Sequence, residues 1–526
     1  MTEYGVVIGQ ANPSHFDFNI SRPEVRPINY EYVQVMVEEQ LHGGRRRRVE
    51  VLGQVKRLVS SHPFYDRRTT PGAAWKQREL GLDEELMQIF ATAKILGYLH
   101  DNGGRREVRR PRSPPMPGTP VFRASDELLG EFFSLGEGDL PLKAGHLLHR
   151  EGVAVPISGK ELHRHTAILA MTRYGKSYFA GRIMEELLRR GASILTIDAH
   201  GDYANMVQKP EGRLHDFFHD KMTVYRPEAA EAFEAPHVRP LRLSASSCGF
   251  RELCALARID GPLQKIVLRK AIRRARSGSP LYTLDDVIEK LEEDAPESAE
   301  DQRRAARIID RLEDLRSQGI FSEGDIDVKG FFRPMHMSDI FLSGMSDYVQ
   351  DVFVGMILRR VFNAKFRREA WARLPIFIFV EEAHRFAAPR EMGGGRFSRD
   401  ILARIAAEGS KFGVFLTVIS QRPRRIDPNI LSNCSNLAIL RVVNRQDQLT
   451  IQAASESFSE DLLDDLPALD QGEAILVGPF VPVPVMIRTA ARETRHGGRT
   501  PDIHRLLQEA LDEAEAERER RHFKLH

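Results

Sequence analysis

The segment AILAMTRYGKSYFAG carries the clearest chemistry in the sequence, because Lys176 and Ser177 follow a short apolar run at the spacing of a phosphate-binding loop. In such a loop, backbone N–H groups surround the phosphates and the N-terminus of the next helix adds its partial positive charge. We expect Lys176 to reach the β- and γ-phosphates of ATP, and Ser177 to offer its hydroxyl to Mg²⁺. The expected nucleotide-binding residues are Thr172, Arg173, Tyr174, Gly175, Lys176, Ser177 and Tyr178.

Two positions depart from the usual form of this loop. Ala170 stands where the motif opens with glycine, and Arg173 stands where many such loops carry another glycine. Alanine is acceptable if its φ angle is negative, because only a positive φ penalises a residue with a Cβ atom. The apolar strand before the loop and the amphipathic helix after it favour a phosphate loop over a chance occurrence of GKS.

A pair of carboxylates follows the apolar strand in LPIFIFVEEAHRF. The C-terminal ends of parallel strands form the ligand crevice of an open α/β sheet. We expect Glu381 to hold the Mg²⁺ shell, through water because it is longer than the usual Asp, and Glu382 to act as the general base that polarises the attacking water. The alternative is a pair of strand-end acids that merely face solvent.

Two further strand ends carry polar groups. TVISQ ends at Gln421, which we expect to sense the γ-phosphate or orient the attacking water; an ordinary strand-end amide is the alternative. ILTID ends at Asp198 and continues into DAHGDY. Asp198, His200 and Asp202 around one glycine are weak evidence for a metal, so we predict no separate metal site there.

These residues need a common framework, and from about residue 145 strands alternate with helices, which is typical of a parallel sheet covered by helices. We predict an α/β fold with a RecA-like P-loop ATPase core over 146–246 and 346–490, closed by a hairpin of EAILVG and VPVMIRT. Strands are not expected between about 247 and 345. Two arginine-rich helical stretches there, 261–276 and 301–318, indicate a helical insertion.

The remaining segments flank this core. Residues 1–145 are predicted to form a small N-terminal β-barrel, because short strands such as GVVIG and YVQVMVEE alternate with turns that contain Gly and Pro. Within them, 83–99 looks helical, and 101–120, rich in Arg, Pro and Gly, should be a surface loop. Residues 491–526 are predicted to form a charged helical tail that leans on another surface, such as a neighbouring subunit.

The composition of the chain limits its class of protein and its cellular compartment. The 526 residues are 42% hydrophobic and 29% charged, enough for a large core and two or three domains. No apolar run approaches the roughly 20 residues of a membrane span, and the N-terminus lacks the layout of a signal peptide. Three cysteines without metal-ligand spacing fit a reducing compartment. We therefore expect a cytoplasmic protein with no membrane partner.

The chain resembles the HerA-type ATPases of the HerA/FtsK group. The resemblance rests on ILAMTRYGKS, IDAHGDY, FIFVEEAHRF, RIAAEGSKFGV, ISQRPRRIDPNILSNCSN and ILRVVNRQDQ, in that order, and on an opening YGVVIGQA similar to that family's N-terminal barrel. It implies a hexameric ring that hydrolyses ATP at subunit interfaces and pumps double-stranded DNA through its centre. It also implies a partner on the barrel face: a NurA-type nuclease in DNA-end processing, or another effector enzyme in anti-phage defence.

An ATPase of this kind needs cations from a neighbouring subunit to stabilise transition-state charge. Arg404 and Lys411 are seven residues apart in 400–412, where a helix would place them on one face, and the resemblance puts that helix near the neighbour's nucleotide. Arg164 also matches a family position near the phosphates. We expect all three to act in catalysis. An ordinary helix salt bridge between Arg404 and Glu408 is the alternative for the first.

Residues that contact DNA should touch phosphates rather than base edges, because a motor must move along any sequence. Arg396 and Arg399, in the glycine-rich EMGGGRFSRD, are candidates, and so is Lys209. Ordinary solvated loops are the alternative for each.

The sequence thus predicts a ring-forming, ATP-driven translocase or helicase acting on double-stranded DNA with a nuclease or other effector partner. The alternative is a HerA-like ATPase scaffold that assembles and regulates a partner enzyme, with DNA pumping secondary. The altered phosphate loop and Glu381 in place of Asp make this alternative reasonable.

Overall fold

The computed structural model describes residues 2–21, 24–40, 46–62, 65, 69–79, 87–102, 105–227, 235–293, 298–392, 396–455, 458–497 and 503–523. In chain order, the strands of these segments are β1 Glu3–Ile8, β2 His15–Ile20, β3 Tyr32–Gln40, β4 Arg46–Ser61, β5 Gln88–Asn102, β6 Arg105–Arg109, β7 Pro120–Arg123, β8 Pro141–Leu147, β9 Arg150–Ser158, β10 Thr166–Leu169, β11 Ser193–Asp198, β12 Met222–Arg226, β13 Val238–Pro240, β14 His336–Phe341, β15 Ile376–Val380, β16 Val414–Ser420, β17 Asn436–Ile439, β18 Glu473–Val477 and β19 Val485–Thr489. The α-helices are Pro71–Glu79, Asp126–Phe133, Lys176–Arg189, Phe250–Leu256, Pro262–Gly278, Leu284–Glu293, Ala299–Ser317, Asp347–Phe366, Arg396–Glu408, Pro428–Ser432, Arg445–Ala454, Glu460–Leu463 and Ile503–Phe523.

The chain divides into two compact units. The first consists of Met1–Leu187 and Ala403–Ala491, and the second of Leu188–Leu402 and Arg492–His526.

An antiparallel barrel opens the first unit, as the sequence predicts. The strands follow the order β2-β1-β7-β3-β4-β5-β6, and a further pairing between β2 and β5 closes six of them. Alternate residues of these strands face the interior, as Val33, Val35 and Val37 do on β3, because successive side chains of a strand point to opposite faces. The barrel core is made of Val, Phe, Ile and Tyr side chains.

Two predictions inside the barrel are wrong. Residues 83–99 were expected to be helical, but β5 runs over Gln88–Asn102 and pairs with β2 and β4; 83–86 lie outside the described part. Ala91, Ala93 and Ile95 are buried at every second position, which is the period of a strand, although their neighbours include good helix formers. The expected surface loop 101–120 contains β6, which pairs with β5.

The first unit also holds part of the ATPase sheet. β10 lies between β16 and β17 and is parallel to both, and β17 continues through β18, β19, β8 and β9 in antiparallel pairs. The predicted hairpin of EAILVG and VPVMIRT is thereby confirmed as β18 and β19. β8 starts at Pro141, so residues just before 145 belong to this sheet and not to the barrel.

The second unit holds the strands β13, β12, β14, β11 and β15, all parallel, in that order. β14, His336–Phe341, lies inside the range in which no strand was expected, so that prediction is wrong at its C-terminal end. β14 is hard to detect because HMSDIF mixes polar and apolar residues, all of them buried or half-buried between neighbouring strands. The preceding helices from Phe250 to Ser317 agree with the expected helical insertion.

The predicted helical tail is present as Ile503–Phe523. Among the described residues, no helix combines the length and apolarity required to cross a membrane.

Candidate nucleotide site

The first residues of the predicted phosphate loop are hydrogen-bonded to the chain at the ends of both neighbouring strands in the first unit. The N–H of Ala170 donates to the carbonyl of Ser420 at 3.2 Å, and the N–H of Met171 donates to the carbonyl of Arg441 at 2.9 Å. Ser420 ends β16, and Arg441 follows β17 by two residues. The backbone of the loop is therefore fixed by the two strands that flank β10.

The backbone angles of the loop explain the two departures from the usual motif. Ala170 is buried and lies outside the set of residues with positive φ, so the condition for alanine at the first position is met. Arg173 has a φ of 69° and Gly175 a φ of 98°. Arg173 thus occupies a left-handed conformation that costs a non-glycine residue about 1–2 kcal/mol.

Lys176 and Ser177 begin the helix Lys176–Arg189, and both side chains are more than 90% buried. The N–H groups of a first helical turn have no partner inside the helix and favour an anion in front of them. A buried ammonium, a hydroxyl and a helix N-terminus together suit a nucleoside triphosphate with Mg²⁺. The residues present therefore fit the ligands expected from the sequence.

The side chain of Gln421 contacts the phosphate loop. The Oγ1 of Thr172 donates a short hydrogen bond to the Oε1 of Gln421, which directly follows β16. The amide of Gln421 therefore lies beside the phosphate loop, as its strand-end position predicted.

Arg441 is a site residue that the sequence reasoning missed. Its guanidinium carbon lies 5.1 Å from the centroid of the Tyr174 ring. Its Nε is shielded from solvent without a hydrogen-bond partner, and no carboxylate pairs with it among the described residues. No strand-end signal pointed to Arg441, because it lies two residues after β17, whereas Gln421 directly follows β16.

The predicted carboxylates lie in the second unit, directly after β15. Glu381 is fully buried and accepts a hydrogen bond of 2.7 Å from the hydroxyl of Tyr203. Glu382 has a φ of 49°, and its Oε2 lies 3.1 Å from the Nδ1 of His384. Neither carboxylate faces solvent, so the alternative of two solvated strand-end acids is not what the structure shows.

Asp198, at the end of the adjacent β11, organises the DAHGDY segment. Its carboxylate accepts hydrogen bonds from the backbone N–H groups of His200, Gly201 and Tyr203 at 2.8–3.1 Å. Burial, followed by the charge of Asp202, raises the pKa of Asp198 to about 7. Since these bonds fold the loop, Asp198 has a structural explanation that needs no separate metal.

Two of the three predicted trans-acting cations carry ordinary ion pairs within the chain. Arg404 lies 3.3 Å from Glu408, and Arg164 lies 2.8 Å from Glu161. Lys411 is not on the helix of Arg404, because that helix ends at Glu408 and a 3₁₀ turn, Gly409–Phe412, follows. The argument that placed Arg404 and Lys411 on one helix face is therefore wrong.

The predicted DNA-contacting residues differ in accessibility. Arg399 is 7% exposed and bonds Asp400 at 2.6 Å, which leaves its guanidinium little access to a phosphate. Lys209 pairs with Asp216 at 2.7 Å and is partly exposed. Arg396 begins the helix Arg396–Glu408, but its side chain lies outside the described part of the structure.

Comparison with known proteins gives a consistent set of relatives. Residues 142–361 match the family model described as "Helicase HerA, central domain". "Probable helicase MJ1565" of Methanocaldococcus jannaschii is 32% identical over 87% of both chains. "DNA double-strand break repair helicase HerA" of Saccharolobus solfataricus is 28% identical over 95% of this chain and 94% of that protein. VirB4 of Thermoanaerobacter pseudethanolicus has a TM-score of 0.47 at 15% identity, covering 67% of this chain and 96% of that one.

Proposed function

The chain belongs to the HerA family of P-loop ATPases, and from this we propose that it is an ATP-driven motor that moves double-stranded DNA through a ring of its own subunits, with six as the expected number. The observation that carries the proposal is the phosphate loop at the end of β10, with Lys176 and Ser177 on the first turn of the next helix. The relatives named as helicases match this chain over most of its length, which supports a motor rather than an isolated ATP-binding domain.

Each strand-end group takes a role in hydrolysis. Glu382 accepts a proton from the water that attacks the γ-phosphorus, the bond from that phosphorus to the β–γ bridging oxygen breaks, and ADP leaves with the bonding electrons. His384, 3.1 Å away, orients the carboxylate of Glu382. Gln421 orients the water or senses the γ-phosphate. Ser177, and Glu381 through water, would hold Mg²⁺, which would neutralise phosphate charge when bound.

The ring supplies the remaining cations. Arg404, Lys411 and Arg164 are the proposed groups that act across a subunit interface, where positive charge stabilises the transition state. Arg404 and Arg164 are half-exposed, so their present ion pairs with Glu408 and Glu161 are weak surface pairs that a triphosphate can replace. Lys209 and Arg396 are the proposed contacts to the DNA backbone, whereas Arg399 is too buried to enter that set.

An effector enzyme completes the proposed assembly. We place a NurA-type nuclease or another effector on the N-terminal barrel, with a role in DNA-end processing or in defence; the family resemblance supports this partner. The second candidate function is a scaffold that assembles and regulates such an enzyme with DNA pumping secondary. The observation that favours it is Arg173, which holds a strained conformation where such loops usually carry glycine.

The deciding experiment measures ATP hydrolysis by the purified full-length chain, with and without linear duplex DNA, over a salt series. A motor that tracks phosphates should be stimulated by duplex DNA, and the stimulation should fade as salt rises because counterions compete for the backbone. Stable oligomers without stimulation would contradict the motor and favour the scaffold.

Lys176→Ala is the matched control for this assay. Removing the ammonium should reduce both basal and DNA-stimulated phosphate release by at least about a hundredfold, because no other lysine of the loop can reach the phosphates. Full activity in this variant would contradict the assignment of the phosphate loop.

A further inference from the structure

The helix Pro262–Gly278 of the insertion is unusually basic. Its sequence PLQKIVLRKAIRRARSG contains six Lys and Arg residues and no acid. Leu268, Ala271, Ile272 and Ala275 form its buried side. The catalytic scheme above uses none of the basic residues, so their accumulation on one helix needs another explanation.

Three of the basic residues form a row on one exposed side of this helix. Arg269, Arg273 and Arg276 follow each other at steps of four and three residues, and all three are exposed. From Arg269 to Arg276 the row extends over about 10 Å of the helix axis, at 1.5 Å per residue. We call this row the arginine face.

Aromatic rings orient two members of the arginine face. The guanidinium of Arg269 lies 4.4 Å from the centroid of the Phe250 ring, and that of Arg276 lies 5.9 Å from the centroid of the Tyr282 ring. Stacking on a ring restricts the guanidinium plane and leaves its N–H groups available at the edge. These two side chains are therefore held in place before any ligand binds.

No carboxylate pairs with Arg269, Arg273 or Arg276 in the part of the chain that the structure describes. Other arginines of the same insertion do have such pairs: Arg304 bonds Glu300 and Asp301, and Arg316 bonds Asp285. Like charges three and four residues apart disfavour a helix by about 0.2–0.5 kcal/mol per pair. The arginine face thus concentrates positive charge at a cost and without a carboxylate partner among the described residues.

We propose that the arginine face binds the sugar–phosphate backbone of duplex DNA, independently of base sequence and outside the ATPase sheet. The three guanidinium groups of the face can neutralise about three phosphates of the backbone. Guanidinium groups bind phosphate oxygens in pairs, which suits arginine better than lysine. The proposal rests on the proposed action on DNA, because it names one surface that the DNA touches.

The test uses the full-length chain with Arg269→Gln, Arg273→Gln and Arg276→Gln combined. Binding of a fluorescent duplex of about 30 base pairs is followed by anisotropy between about 50 and 200 mM salt. Because each lost phosphate contact removes about 0.9 from the slope of log affinity against log salt, the slope should fall by about 2 to 3. Affinity at the lowest salt should fall at least about tenfold, and hydrolysis without DNA should stay unchanged.

Two further variants sharpen the result. Arg304→Gln combined with Arg316→Gln removes arginines of the same insertion that already have carboxylate partners, and it should leave the slope unchanged. Arg273→Glu changes the member of the arginine face that stacks on no ring among the described residues, so it should weaken binding without disturbing packing. This single variant keeps the test valid if the triple variant loses stability.

A wild-type slope in both the triple variant and Arg273→Glu would overturn the proposal. Failure of the proposed function gives a different result, because the wild-type chain itself would then show no duplex-stimulated hydrolysis. Stimulated hydrolysis in the wild type with an unchanged slope in the variants would reject only the arginine face.

Discussion

At the scale of single residues, Arg441 connects the fold to the ligand. Its carbonyl accepts the N–H of Met171 and fixes the loop backbone, while its guanidinium covers the ring of Tyr174. A cation that has no carboxylate partner among the described residues and lies beside a phosphate loop is suited to a bound anion.

Arg441→Gln should therefore weaken nucleotide binding more than it slows chemistry. We expect the KM for ATP to rise about tenfold with kcat within about threefold, because a contact made equally in the ground state and the transition state affects binding alone. Arg441→Lys keeps the charge but loses the planar stack, so its KM for ATP should lie between those of the wild type and Arg441→Gln. Steady-state phosphate release over a range of ATP concentrations measures this, and a fall in kcat at unchanged KM would contradict it.

Glu382→Gln should have the opposite signature. Replacing the proposed base by an amide of equal size should lower kcat by about 10²–10⁴-fold while ATP still binds, because general-base contributions are of that order. Equilibrium binding of a fluorescent ATP analogue, measured beside single-turnover hydrolysis, separates the two steps. Loss of binding together with hydrolysis would assign Glu382 to nucleotide or metal binding instead.

At the scale of elements, β10 depends on a buried histidine. His165 directly precedes β10, is 3% exposed, and its Nδ1 accepts the backbone N–H of Leu416 at 2.9 Å. Burial, with the charge of His163 in the same direction, lowers the pKa of His165 to about 4. The neutral ring therefore links the start of the phosphate-loop strand to β16.

The stability of the protein should fall as pH drops from about 6.5 to about 4. In this window the unfolded chain takes up a proton on His165 that the folded chain excludes, so the free energy of unfolding decreases by about 3 kcal/mol towards acid. His165→Asn, which keeps an acceptor and does not titrate in this window, should lack this component. Denaturant unfolding of both proteins at several pH values tests it; parallel pH curves would contradict the role of His165.

The sequence predicted the elements whose residues follow a simple period or motif. The barrel, the strand–loop–helix around Lys176, the insertion helices and the hairpin β18–β19 belong to this group. β5 was missed because its buried positions hold Ala as well as Ile, and β14 was missed because its buried residues are partly polar. In both cases pairing with neighbouring strands, which one segment of sequence does not reveal, decided the structure.

For the candidate site, strand-end positions were predictable, whereas contacts were not. Gln421 was identified because it follows an apolar strand, and the structure shows its bond to Thr172. Lys411 was predicted on a helix that in fact ends at Glu408, because a seven-residue spacing does not reveal the 3₁₀ turn that Gly413 closes with a positive φ. Arg441 was overlooked because its carbonyl and its side chain act separately, and only coordinates show both contacts.

At the scale of the whole molecule, a ring with nucleotide sites between subunits can be tested by mixing two inactive variants. Lys176→Ala and Arg404→Ala should each be inactive alone, but mixed rings should recover hydrolysis. A subunit with intact Lys176 can then sit beside one with intact Arg404. Random mixing in equal amounts gives about a quarter of competent interfaces in a head-to-tail ring, and phosphate release across mixing ratios measures this. No recovery at any ratio, with subunit exchange verified, would contradict a trans-acting Arg404.

The left-handed backbone of Arg173 places a conformational penalty in the folding of the chain and not in the binding of nucleotide. A glycine at this position would explore many conformations in the empty loop and lose them when a triphosphate arrives. Arg173 is confined already, and its conformational penalty of about 1–2 kcal/mol is met once, when the chain folds. A nucleotide that binds the loop in this conformation therefore does not add this penalty to its own binding free energy.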